Sequence, residues 1–209
     1  MTYERLAVTA ADSVYGRQEV NHARVIWSGA VDNVQFDVMR HENLHCVVVA
    51  FAGSNELADW GRHIFVRRRK IAGIGGLVHR GWLSDWRKSQ STFTIAVREA
   101  LRHNDDLLIC GHSYGGALAQ LAAATAAMQL VESDRIHLYT FGCPRLGNKK
   151  FAQQLDGLIP RHFRHTIKSD PVPHLPLGIR YKHAGMNVNH PHNPKPHSMA
   201  SYKEALGYA

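Results

Sequence analysis

The residues best suited to do chemistry in this chain lie at 109–116, ICGHSYGG, where Ser113 stands between glycines directly after the apolar run Leu107-Leu108-Ile109-Cys110. At ordinary glycine and serine usage a bare G-x-S-x-G occurs by chance in roughly one chain in fifteen of this length, so the pattern alone decides little. Its surroundings decide more. A buried-type strand runs into Gly111 and an alanine-rich helix opens at Gly116, the strand–turn–helix order that exposes a serine Oγ at the top of a sheet. Glycine is needed because such a turn brings backbone against backbone, where a Cβ would clash. The helix N-terminus beyond Ser113 also offers amides and a positive dipole end to a developing oxyanion. The competing reading is a phosphate loop, which needs G-x-G-x-x-G or a terminal Gly-Lys-Ser/Thr, and neither is present.

A serine hydroxyl attacks only when a histidine takes its proton and a carboxylate orients that histidine. Both partners are expected near the C-terminal ends of later strands. Asp170, in SDPVPHLP, follows the strand candidate 162–168, and Pro171 biases it away from helical geometry; an Asp-Pro turn residue is the plainer alternative. Asp134 and Asp156 fit less well, at a helix end or before a strand. The tail offers His183, His190, His192 and His197, of which His197 is preferred because it closes an irregular loop just before a helical pattern at 198–206. A metal site built from His190, His192 and His197 is the third possibility, but no carboxylate or cysteine lies beside them to complete it.

The elements that must hold these residues follow from patterning. Residues 23–29 and 34–40 read as two strands joined by a polar turn, an antiparallel start. Then come CVVVAF at 46–51, LLIC at 107–110 and IHLYTF at 136–141, short apolar runs of the kind buried on both faces of a parallel sheet. Between them Phe93, Ala96, Val97, Ala100 and Leu101 share a helical face, 116–131 is alanine-rich, and 148–155 is a further helix candidate. Strands alternating with helices predict an α/β fold with a mostly parallel central sheet, and the 209 residues read as one domain spanning 1–209. Residues 55–77 form either a lid or a crossover, and 183–197 reads as irregular.

The net charge of +8 and the run Arg67-Arg68-Arg69-Lys70 favour an anionic surface such as acidic lipid, although a solvated loop is the commoner meaning of such a run. No zinc-finger, helix-turn-helix or RNA-binding motif accompanies it, so no specific nucleic-acid partner is expected; the sequence sets no oligomeric state. Cys46, Cys110 and Cys143 flank apolar runs and read as buried free thiols in a reducing compartment. The opening MTYERLAVTAADSVYG has no leader pattern, and no apolar run reaches bilayer length. The expected location is therefore cytoplasmic, with a bacterial or phage origin.

Six segments in one order resemble the class 3 (fungal-type) lipases of the α/β-hydrolase superfamily: VVVAFAGSNELADW, VHRGWLSDW, LLICGHSYGGALAQLAA, LYTFGCPRLGNKKFA, SDPVPHLP, and YKHAG followed by HSMASY. The resemblance spans roughly residues 45–203 and implies an α/β-hydrolase fold. It implies Ser113 as nucleophile, Asp170 as orienting acid and His197 as base, with the backbone N–H groups of Ser54 and Tyr114 as the oxyanion hole. By the same resemblance Asp59, Trp60, His79 and Gly81 lie in motifs that brace the loops around the pocket, Pro144, Arg145 and Gly147 form the turn after the strand 136–141, and His183 is a packing histidine. The chain departs from the family at Ala52, where arginine is usual, at Tyr114, where leucine is usual, and at Tyr202, since the usual tyrosine stands three residues after the histidine. The implied reaction is hydrolysis of carboxylic esters of lipids or small acyl esters, through an acyl-enzyme and without a cofactor. The alternatives are a non-catalytic module for anionic surfaces, or a metal-dependent hydrolase using the tail histidines.

Overall fold

The computed structural model describes residues 1–16, 19–54, 67–193 and 195–208. Helix α1 (Tyr3–Gly16) comes first and buries Leu6, Ala7, Ala10, Ala11 and Val14 along one face. Its apolar residues recur at helical spacing. Strands β1 (Ala23–Val31) and β2 (Val34–His41) form an antiparallel hairpin. β1 is a half-exposed edge whose Trp27 stacks on Phe36, ring centroids 4.1 Å apart. β3 (Cys46–Phe51) pairs antiparallel with β2.

A separate two-stranded ribbon, β4 (Arg68–Lys70) and β5 (Leu77–His79), follows. The basic run expected as a loop is thus largely a strand, because its backbone pairs with β5. Of the lid-or-crossover segment 55–77, the part 55–66, which contains Asp59 and Trp60, lies outside the described residues. The chain continues through α2 (Arg80–Ala100), β6 (Asp106–His112), α3 (Tyr114–Gln129), β7 (Ile136–Phe141), α4 (Lys149–Leu158), β8 (Arg161–Ile167), β9 (Met186–His190) and α5 (Met199–Ala205).

The main sheet has the order β1-β2-β3-β6-β7-β8-β9, antiparallel up to β3 and parallel from there on. β9 corrects the expectation of an irregular tail over 183–197. Its residues MNVNH hold only Met186 and Val188 as apolar side chains and are mostly exposed at the sheet edge, so no hydrophobic run marks them.

Side-chain alternation explains why the central strands are apolar throughout. Val47, Val49, Phe51, Leu107, Ile109, Ile136 and Leu138 face one layer, packed with α2, α3 and α4. Cys46, Val48, Ala50, Leu108, Cys110, Tyr139 and Phe141 face the other, packed with α1 and α5. Both faces being dry, neither alternates with polar residues. At the opposite end of the sheet, Arg40 and Asp105 form a buried ion pair, each 2% exposed, and Arg40 also donates to the Ala100 carbonyl. Burial alone would push the Asp105 carboxyl up, but the Arg40 guanidinium and the Arg102 amide hold it below its usual range.

Candidate active site

Strand β6 ends at His112 and α3 begins at Tyr114, so Ser113 makes the turn by itself. It holds φ 56° and ψ −124°, a conformation that costs a residue with a Cβ on the order of 1–3 kcal/mol and persists only where the surroundings impose it. They do so here. The Ser113 N–H donates to the Phe141 carbonyl at 2.8 Å, and its own carbonyl accepts from Gly116 at 3.0 Å. A Cβ on Gly115 would lie 2.3 Å from the Phe51 carbonyl oxygen, and one on Gly111 2.4 Å from the Gly115 carbonyl. The glycines let α3 start against the end of β3. Ser113 is 1% exposed, and its Oγ is buried with no hydrogen-bond partner among the described residues.

Asp170 follows β8 and is 1% exposed. Its Oδ1 accepts the Val172 amide at 2.9 Å, and its Oδ2 accepts from His197 Nδ1 and from the Tyr202 hydroxyl, each at 2.8 Å. Three donors on a desolvated carboxylate leave it fixed and acceptor-only. His197 owes its position to the tail's anchoring: Ser169 and Asn193 exchange hydrogen bonds at 2.9 and 3.1 Å, tying the tail to the residue next to Asp170. Ser198 then caps α5 by accepting from the Ser201 amide. With Nδ1 bound to Asp170, His197 directs Nε2 elsewhere, and that atom too is buried without a partner among the described residues. A Cβ on Gly142 would meet Asp170 Oδ2 at 2.8 Å and the His197 ring at 3.1 Å, so the close approach of the loop after β7 requires a glycine there.

The other tail histidines go elsewhere. His183 Nε2 meets the Pro173 carbonyl at 2.6 Å, His190 Nε2 meets His165 Nδ1 at 3.0 Å, and His192 is exposed. Among the described residues no three histidine, cysteine or acidic side chains are grouped to hold a metal ion. Asp134 sits in a short 3-10 turn, and Asp156 accepts the Gly185 amide; neither is hydrogen-bonded to a histidine among the described residues.

Ser54 follows β3 and is half-buried. Tyr114 is the first residue of α3, among the amides that point out of a helix N-terminus. Its phenol donates to Asp85 of α2 at 2.8 Å, and burial pushes its pKa up. The tyrosine in the usual leucine position is therefore a strut between α3 and α2. Tyr202, one helical turn into α5, reaches Asp170 despite its shifted position and also accepts the Ile167 amide at 3.3 Å. The shift is absorbed by helix geometry, which linear spacing does not reveal. His112 is a further site residue that no sequence pattern marks. Its ring centroid lies 4.6 Å from that of His197, and burial, with the His197 charge adding to it, pushes its pKa down to about 3. A neutral ring therefore stands beside the candidate base, adding no second cation.

Residues 48–179 match the profile of the family Lipase (class 3), well over half of the chain. The chain belongs to the class 3 lipase family. Among its relatives, "Secreted mono- and diacylglycerol lipase 1" of Fusarium solani is 34% identical over 143 residues, covering 66% of this chain and 41% of the relative. "Secreted mono- and diacylglycerol lipase A" of Penicillium cyclopium is 31% identical over 153 residues, covering 72% and 49%. The chain thus spans less than half the length of these relatives. The solved lipase II from Rhizopus niveus superposes with a TM-score of 0.80 at 24% identity, covering 90% of this chain and 78% of that one. The fold of this lipase-family chain is the α/β-hydrolase fold, with its antiparallel start and parallel body.

The comparison corrects the expected cytoplasmic location, because family relatives are named as secreted lipases. The physical basis of that expectation was weak. The three cysteines are free and buried in the packed sheet, and a thiol shielded from partners stays unpaired in either redox environment.

Proposed function

We propose that this chain hydrolyses carboxylic esters of lipids or small acyl esters by acyl transfer within a single α/β-hydrolase unit, outside the cell. Ser113 Oγ attacks the acyl carbon while His197 Nε2 takes its proton; the amides of Ser54 and Tyr114 receive the oxyanion. His197 then protonates the leaving alcohol as the ester C–O bond breaks, leaving an acyl-Ser113. Water, deprotonated by His197, then attacks the acyl carbon, and His197 returns that proton to Ser113 Oγ as the acyl–Oγ bond breaks and the acid leaves. Asp170 stays ionised and stabilises the imidazolium.

The observation that carries this reading is the His197–Asp170 bond at 2.8 Å, with His197 Nε2 and Ser113 Oγ both buried and unpartnered among the described residues. Such orphaned polar atoms are costly and cluster where function requires them. Ser113→Ala is expected to abolish turnover of a chromogenic butyrate ester and labelling by a fluorophosphonate, with the fold intact. Full activity in that variant would sink the assignment. A non-catalytic module predicts no labelling of the wild-type protein at all.

The lipid surface it meets is anionic in this reading. The loop after Asp170 exposes Leu177 and Ile179, the latter 90% exposed. It lies against β4, where Arg68 donates to the Arg180 carbonyl at 3.1 Å and sits 5.7 Å from the Tyr181 ring. Arg67, Arg69 and Lys70 adjoin Arg68 in sequence, and Arg180 and Lys182 adjoin Tyr181; all five are exposed. Each basic residue near an acidic bilayer adds about 1 kcal/mol. Arg69→Glu should weaken sedimentation with phosphatidylglycerol vesicles by at least about tenfold and leave soluble butyrate turnover alone; equal binding to phosphatidylcholine vesicles would refute the anionic preference.

A further inference from the structure

We infer that Tyr15 is a positioning residue of the active site, its single hydroxyl setting the separation between the oxyanion loop and the serine turn. The inference rests on the catalytic reading above and adds to it a residue from helix α1, far away in sequence. Tyr15 Oη accepts the Gly53 amide at 2.9 Å and hydrogen-bonds His112 Nδ1 at 2.7 Å. Gly53 immediately precedes Ser54, and His112 immediately precedes Ser113. One oxygen therefore bridges the neighbours of the candidate oxyanion donor and of the nucleophile.

The protons can be followed. The Gly53 N–H meets a lone pair of the phenol oxygen, and we assign the phenol's own proton to His112 Nδ1. The neutral His112 ring keeps its proton on Nε2. This chain of donors runs one way, from Gly53 through Tyr15 to His112, and each bond polarises the next. Burial pushes the Tyr15 pKa up to about 12, so the phenol stays protonated across the working pH range although the ring is partly exposed.

Two further contacts fasten the same stretch to α1. Gln35 Nε2 donates to the Val14 carbonyl at 3.1 Å, and the Gln35 carbonyl accepts the Ala52 amide at 3.0 Å. The oxyanion loop is thus tied to the last turn of α1 beside Ala52, the position where the arginine usual in the family is missing. The approach is close enough to select the residue at 53: a Cβ there would lie 2.2 Å from Tyr15 Oη.

Tyr15→Phe keeps the ring and removes only the oxygen. Complete loss of an oxyanion donor costs about 10²–10³ in kcat; displacing one is expected to lower kcat about tenfold, with KM within about twofold of wild type, and the orphaned His112 Nδ1 lowers the melting temperature by a few degrees. Fluorophosphonate labelling of Ser113 should slow in parallel, since that adduct also sets an oxygen in the hole. Gly53→Ala should be impaired in the wild-type background and add much less to Tyr15→Phe, because the 2.2 Å collision with the hydroxyl is gone and only the His112 carbonyl at 3.1 Å remains. A merely structural tyrosine would lower the melting temperature or raise KM while leaving kcat and the labelling rate untouched, and that result overturns the inference. Ser113→Ala, measured alongside, separates the two readings. An inactive Ser113→Ala with a fully active Tyr15→Phe removes only Tyr15's role, whereas an active Ser113→Ala removes the catalytic assignment itself.

Discussion

The contact most sensitive to a single carbon is the one between the start of α3 and the end of β3. A methyl group on Gly115 would sit 2.3 Å from the Phe51 carbonyl oxygen and 2.6 Å from that of Ala52, where ordinary contact begins near 3.4 Å. Both obstacles are backbone, so no rotamer change relieves them. The N-terminus of α3 must retreat from β3 by about 1 Å, carrying Tyr114 and Ser113 away from Ser54. A misplacement of that size at a reacting centre costs about 10² in rate, and overpacking a tight core costs about 1–3 kcal/mol. For a chain of this length the latter lowers the melting temperature by about 3–10 °C. Gly115→Ala is therefore expected to reduce kcat for a soluble butyrate ester about a hundredfold, measured where the variant is still folded by circular dichroism. Gly157→Ala is the control: nothing lies within 4 Å of where its methyl group would stand, and inside α4 the exchange should stabilise by about 0.5–1 kcal/mol with no kinetic effect. If Gly115→Ala kept wild-type kcat and melting temperature, the argument that this approach positions the two halves of the site would be wrong.

Tyr202→Phe removes one of three donors from Asp170 and leaves the buried Ile167 amide without its acceptor; a loss of about 1–3 kcal/mol in stability by chemical denaturation is expected, and a wild-type midpoint would show that the hydroxyl carries no load. A pH dependence follows from His112, His162, His165 and His183, whose pKa values burial pushes down to about 3. Folded, these rings stay neutral, while in the unfolded chain they bind protons below pH ~6.5. Stability is therefore full above ~6.5 and falls as pH drops toward 3, by up to about 1.4 kcal/mol per pH unit for each ring. Denaturation midpoints followed from pH 7 to 4 check this, and a flat profile would contradict it.

The strands at 46–51, 107–110 and 136–141 were legible because burial on both faces leaves an unbroken apolar run. Ser113 was legible because its turn needs glycines at fixed positions. Asp170 and His197 were harder, since their partnership depends on a tail anchored through Ser169–Asn193 and on the parallel pairing of β9 with β8. β9 is a mostly exposed sheet edge, and the alternation of Met186 and Val188 with Asn187 and Asn189 is too short to mark a strand. Tyr15 was invisible for a different reason: 97 residues separate it from His112, and no local pattern encodes a bond across that distance. The location failed on compartment logic, since buried thiols say more about packing than about redox environment.

Helix α1 and the tail around α5 dock on one another as well as on the sheet, through Lys203–Asp12 at 2.9 Å and Tyr208–Glu4 at 3.5 Å. The first carries the tyrosine that braces the oxyanion loop, and the second follows the histidine. Competence thus behaves as a logical conjunction of the two segments farthest apart along the chain. Loosening either segment removes one part of the proposed site while the sheet persists, so on warming esterase activity is expected to fall before the circular dichroism signal of the sheet.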